Sequence, residues 1–225
     1  MKRLLEVCTG SLRSALAAAE GGADRIELCS ALSLGGLTPS IGLVEMVRKQ
    51  CPSLRIHVLI RPHEGDFVYS QKEIDAMKAD IQAMQPYADG FVSGVLTEAG
   101  DVDVDATCRL REACDGKPFT FHRAFDVCRE PFAALGQLIR IGCTRLLTSG
   151  QQPSACQGVD LIRRLVTESA GRIIVMPGAG VSSRNAEWIL RQTGAMEIHG
   201  SAKADGPETD PAEVAAIRQA LARLG

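Results

Sequence analysis

Three observations predict an α/β fold of the closed (β/α)8, or TIM-barrel, kind. Along the 225 residues, short β-rich runs alternate with helical patterns eight times over, and such alternation implies parallel βαβ units. That length leaves little beyond those elements, which suits one barrel domain spanning 1–225 with a C-terminal closing helix. The rival open doubly wound sheet carries a Gly-rich turn after its first strand. Here that turn is Thr9-Gly10-Ser11, so no nucleotide cofactor is expected.

In order, the first strand is read at Leu4–Cys8 and its helix at Ser11–Glu20, with Leu12, Ala15, Leu16 and Ala19 on one face and Gly21-Gly22 ending it. Asp24–Cys29 is the second strand. Pro39–Gln50 is the second helix, with Thr38 as its expected N-cap and Pro39 as its first residue. Leu54–Arg61 and Lys72–Gln85 form the third pair, the helix carrying Ile74, Met77, Ile81 and Met84 at helical spacing. The remaining strands are read at Asp89–Gly94, Pro118–Arg123, Thr144–Ser149, Arg172–Met176 and Ala195–Gly200. Their helices are read at Asp105–Ala113, Pro131–Ile141, Val159–Glu168, Ser183–Gln192 and Pro211–Leu224.

Bulk composition narrows the function classes. Lys and Arg total 25 against 27 Asp and Glu, a net charge of −2 without a basic tract, so neither nucleic acid nor an anionic membrane is an expected partner. The opening Met1-Lys2-Arg3 mimics a secretory n-region, but Glu6 interrupts an apolar run already too short for a signal. No stretch approaches the ~18 apolar residues of a spanning helix, and a cytoplasmic location is expected. None of the eight cysteines forms a C-x-x-C pair or shows zinc-finger spacing. In a reducing compartment most should be free thiols that pack as small apolar residues.

Side chains alternate across a strand, and the helix-facing side of a barrel strand must be apolar. Leu5 and Val7 therefore face outward and send Leu4, Glu6 and Cys8 inward. By the same rule Arg25, Glu27, Cys29, His57, Leu59, Arg61, Thr120, His122, Glu197 and His199 point inward. Barrel interiors are usually filled by branched apolar side chains. Buried charge must pair or reach water, so this interior is either an ion-pair network or a working site. Several of these groups end their strands, where barrel enzymes place their chemistry.

Two loops add polar groups. Arg61, His122, Arg123 and Asp126 suit an anion clamp or an acid–base pair, or in the case of Arg123 and Asp126 a plain loop salt bridge. Gly178, Ala179, Gly180, Gly200 and Ser201 follow the last two strands, where many barrels bind phosphate. Tight-turn geometry explains those glycines equally well.

Seven segments carry a resemblance: Leu5-Glu6-Val7-Cys8, Gly22 to Cys29, Gly35-Gly36-Leu37-Thr38-Pro39-Ser40, Ile60-Arg61-Pro62, Gly65-Asp66-Phe67, Thr120 to Asp126, and Leu147-Thr148-Ser149-Gly150. As a set, over residues 4 to about 202, they resemble the CutC copper-homeostasis family. The resemblance implies a cytoplasmic TIM barrel that binds copper(I) through two strand-end cysteines, matching Cys8 and Cys29. Arg61-Pro62-His63 departs from it, since relatives commonly carry a second Arg after the Pro. Pro177-Gly178-Ala179-Gly180 departs too, where a run of glycines is usual.

Copper(I) is soft and favours thiolate, but copper alone gives no reason for Glu6, Glu27, Arg61, His122, Arg123 and Asp126. A barrel enzyme acting on a small anionic or phosphorylated substrate would use them, with Glu6 or Glu27 as base. A homodimer or higher homo-oligomer is expected by analogy with barrels of this size.

Overall fold

The computed structural model describes residues 2–204 and 206–224; Met1, Asp205 and Gly225, which the N-terminal and 1–225 readings include, lie outside the described residues. The strands are β1 Leu4–Thr9, β2 Arg25–Leu28, β3 Arg55–Leu59, β4 Gly90–Ser93, β5 Phe119–Phe121, β6 Arg145–Thr148, β7 Ile174–Pro177 and β8 Glu197–Gly200. The helices are α1 Leu12–Glu20, α2 Ile41–Gln50, α3 Gln71–Met84, α4 Val104–Ala113, α5 Pro131–Ile141, α6 Val159–Ser169, α7 Ala186–Thr193 and α8 Pro211–Ala222. All paired strands are parallel, in the order β7-β6-β5-β4-β3-β2-β1-β8.

The eighth junction closes the ring by packing rather than by a ladder among the described residues. Proline removes one of the bonds such a ladder would use. Ile174 N–H reaches Thr144 O and Gly178 N–H reaches Thr148 O, so even-numbered amides on β7 face β6. The amide facing β8 at the end of the strand belongs to residue 177, and Pro177 has no N–H to give.

Local chemistry sets the helix starts. Ser11 caps α1 through Ser14 N–H, Ser70 and Glu73 form a capping box on α3, and Pro131 opens α5 with left-handed Gly142 closing it. The expected cap of α2 is corrected. Ser40, not Thr38, accepts from Leu43 N–H. Thr38 Oγ1 instead donates to Arg61 O and accepts from Arg61 N–H, stitching its loop to the end of β3.

The strand parity read from the sequence holds. Leu5, Val7, Ile26, Leu28, Ile56, Val58, Phe119, Phe121 and Ile198 are buried against the helix layer. Each such side chain contributes roughly 1.5–3 kcal/mol, so the outer shell carries the fold. Inside the ring only Cys8, Cys29, Leu59 and Val92 form a small apolar cluster. Leu147 and Met176 also face inward, Met176 against Arg25, and charged and polar side chains fill much of the remainder.

Candidate metal and ligand site at the barrel mouth

Register places the interior charges. Glu6 lies level with Arg25 on one side and His199 on the other, while Cys8 lies level with Glu27, itself level with His57. Their side chains join into one chain of contacts. Arg145 grips Glu197 with two nitrogens, at 2.8 and 3.2 Å. Arg25 Nη2 donates to Glu197 at 2.5 Å and Arg25 Nε to Glu6 at 2.5 Å. Glu6 Oε1 lies 2.8 Å from His199 Nδ1. His199 Nε2 is 3.9 Å from Glu27 Oε2, which accepts from Cys8 Sγ at 3.1 Å. Cys8 Sγ is 3.8 Å from Cys29 Sγ, and Cys29 donates to Thr9 O.

Burial and charge then divide these groups. Burial works against ionised Glu6, but Arg25 and the bonded His199 outweigh it and hold the carboxyl well below its usual range. Burial pushes the Glu27 carboxyl up, assisted by the Glu6 charge and only partly opposed by His199 and Cys8. Burial would depress His199, yet Glu27 and Glu6 overcome it and raise its pKa. The Cys29 hydrogen bond, burial and the Glu27 charge all push the Cys8 thiol well above its ordinary value. Glu6 is thus a fixed anion within the barrel, whereas Glu27, His199 and Cys8 gather near the mouth as groups able to exchange protons.

A cavity of about 250 Å³ opens over this end. Of the residues singled out in the sequence, Cys8, Glu27, Arg61, His122, Arg123, Ala179, Gly180, Gly200 and Ser201 line it. Cys29 is buried beside Cys8, and Glu6 lies in the ion-pair chain, both outside the lining. Gly178 is also outside it: a Cβ there would come within 2.6 Å of Leu147 Cδ1, so this glycine permits close packing of β7 on β6. Asp126 is occupied by the β6 loop. It accepts from Thr148 Oγ1, Ser149 N and Oγ, and Gln151 N, and pairs with Arg123 Nε at 2.7 Å.

Arg61 is similarly engaged. Its terminal nitrogens donate to the carbonyls of Leu34, Gly36 and Gly65. It also stacks over Phe67 at 4.9 Å. Its charge stays at the cavity wall while most of its donors organise loops.

The sequence reading placed one contributor only in part and missed another. His199 was legible as inward-facing, yet its place beside Glu27 and Cys8 depends on register. Cys8, Glu27 and His199 each offer a ligand atom within 4.8 Å of the others, a spacing able to hold a metal ion. Arg145 went unassigned because Arg145-Leu146-Leu147-Thr148 has no alternation that picks its inner face; the structure packs Leu146 outward and Arg145 inward.

Fold and site together define a (β/α)8 barrel with a thiol–carboxylate–imidazole cluster at its C-terminal mouth. The CutC family profile matches residues 3–204. A human protein named copper homeostasis protein cutC homolog is 51% identical over 201 residues, 89% of this chain and 73% of its own length. A CutC family protein of Bacteroides thetaiotaomicron is 47% identical over 90% of this chain and 82% of its own. A crystal structure from Streptococcus agalactiae, described as a candidate copper homeostasis protein CutC, superposes with a TM-score of 0.84 at 32% identity, covering 88% of this chain and 98% of that one. Thiamine phosphate pyrophosphorylase of Pyrococcus furiosus, at 15% identity and TM-score 0.66 over 98% of this chain and 96% of its own, shares the fold. The chain belongs to the CutC copper-homeostasis family.

Proposed function

We propose that this chain serves copper homeostasis by holding copper(I) at the barrel mouth on the sulfurs of Cys8 and Cys29, with His199 and Glu27 beside them. The observation that carries the reading is the 3.8 Å separation of the two sulfurs. Two metal–thiolate bonds of about 2.3 Å spanning that distance meet at roughly 110°, a tetrahedral corner. His199 and Glu27 lie on the Cys8 side of that corner. Soft sulfur selects copper(I) over hard cations. Both thiols are buried, and the Cys8 thiol, held well above its ordinary value, must give up its proton on loading, so uptake strengthens as pH rises.

A cytoplasmic, reducing location belongs to this reading, since the thiols must stay free; all eight cysteines are unpaired. No helix among the described residues is long and apolar enough to cross a membrane. A single functional domain over 1–225 and a homo-oligomeric state complete the reading. Light scattering on the purified protein tests the assembly. The central test is titration of the reduced protein with copper(I) against a competing chelator. Loss of binding in Cys8→Ser and Cys29→Ser supports the site. Weak binding, or binding unchanged in both variants, removes it.

The cavity favours a second reading, a barrel enzyme acting on a small anionic or phosphorylated substrate. Arg61, Arg123, Gly180 and Ser201 share its wall with Glu27. Glu27 rather than Glu6 would be the base, because Glu6 is committed to Arg25 and His199. Sulfate or phosphate bound beside Gly180 in a crystal would favour it.

A further inference from the structure

Across the barrel mouth from Cys8 stands His122. It follows β5, four strands from β1 in the eight-stranded ring, and lines the same cavity. Its ring is held from several directions. Ala124 N–H donates to Nδ1 at 3.2 Å, which makes Nδ1 an acceptor and leaves the proton on Nε2. Phe67 and Phe121 meet it edge-on at centroid distances of 5.0 and 6.2 Å. A Cβ on Gly94 would fall within 2.5 Å of Nδ1, so only glycine leaves room for the ring.

This fixed donor is left unused. Nε2 is buried and has no protein partner, although leaving a buried donor orphaned is unfavourable. Such a group in a cavity wall is what a ligand acceptor would satisfy. Phe67 packs edge-on against the imidazole and lines the cavity. Its carbonyl is anchored by Leu96 N–H at 2.8 Å, so a turn of the phenyl ring with the backbone held is the movement that would admit a ligand oxygen.

The surroundings select the ligand. Burial first, then the Arg61 charge, keep the imidazole neutral, with a pKa lowered to about 3. A neutral N–H polarises a carbonyl oxygen without surrendering its proton. Arg123, steadied by Asp126 and by Ser149 Oγ at 3.2 Å, supplies positive charge at the same wall. A cavity of about 250 Å³ suits only a few carbons.

We propose that the barrel mouth binds a small carbonyl compound bearing an anionic group, the carbonyl oxygen accepting from His122 Nε2–H and the anion facing Arg123. This rests on the anionic-substrate reading of the cavity and is independent of copper. The test is calorimetric binding with two matched pairs of probes. Pyruvate is set against propionate, and dihydroxyacetone phosphate against glycerol 3-phosphate; the pairs separate a carboxylate from a phosphate anion. Within one pair the carbonyl member should bind about tenfold tighter, the range of a single well-placed hydrogen bond. His122→Phe, which keeps the ring shape and removes the donor, should abolish that preference, and His122→Gln, which restores an N–H near Nε2, should recover part of it. In 15N-histidine-labelled protein the carbonyl probe should shift the His122 Nε2 resonance. Melting temperatures confirm that both variants fold. Anions that bind without carbonyl preference, or a preference intact in His122→Phe, overturn the His122 assignment and leave the anion reading standing. Failure of all four probes to bind overturns both.

Discussion

Replacing Arg25 by Met should be the most damaging single change to the barrel interior. Arg25 is 1% exposed and bridges Glu6 and Glu197 at 2.5 Å each. Met fills similar space but strands two buried carboxylates, of which Glu197 keeps Arg145, and Glu6 keeps His199 at 2.8 Å with His57 at 3.8 Å. Breaking one partner out of a buried ion pair costs about 3–5 kcal/mol. For a chain of this size that is a fall in Tm of roughly 6–20 °C, at ~2–4 °C per kcal/mol. Urea unfolding followed by circular dichroism measures it. Two controls isolate the cause. Adding Glu6→Gln to Arg25→Met should recover much of the loss, because the uncompensated charge is gone. The pH arm follows from Glu6. Its depressed folded pKa contributes stability above the unfolded value near 4.5, which is lost as pH falls through the folded value. Without Arg25, burial dominates and the folded pKa rises, so the variant regains stability relative to wild type as pH falls from 7 toward 5. A loss below ~1 kcal/mol, or a gap independent of pH, would refute the view that this network is held by charge pairing.

Copper(I) affinity should rise with pH through the neutral range, because the raised Cys8 thiol must lose its proton; competition titrations at pH 6, 7 and 8 that give one constant would contradict this. Acid should destabilise the fold from about pH 6.5 downward, since His57 and His122 are buried neutral with pKa values near 3. Their depressed folded values contribute stability present above 6.5 and lost as pH falls toward 3, each adding up to ~1.4 kcal/mol per pH unit to the slope. Denaturant midpoints across that range should lose part of this slope in His122→Phe. Gly94→Ala should cost ~1–3 kcal/mol by overpacking the His122 ring and displace its Nε2 resonance; an unchanged spectrum would show that the ring is not clamped there.

Much of the site was legible because strands alternate. Leu5 and Val7 demanded an apolar environment, and Glu6 and Cys8 had no other direction to face. The same logic oriented Glu27, His57, His122 and His199. It was silent where alternation is absent, as in Arg145-Leu146-Leu147-Thr148, and it shifted the α2 cap by two residues because Thr38 has a better use bonding Arg61.

What alternation cannot supply is register and hydrogen-bond commitment. Arg61 and Asp126 read from the sequence as available charge, and loop carbonyls, hydroxyls and amides occupy most of their bonding capacity. Cys8 and Cys29 read as two inward strand ends among other inward charges, and the registers bring Glu27 and His199 in particular to Cys8. The sequence by itself determined a (β/α)8 barrel with a polar interior, because period-two and helical hydrophobic patterns are local properties of the chain. Only the tertiary structure decided which charges are spent on one another and which face the cavity, because those partners lie up to 193 residues apart, as His199 and Glu6 do, and meet only when the ring closes.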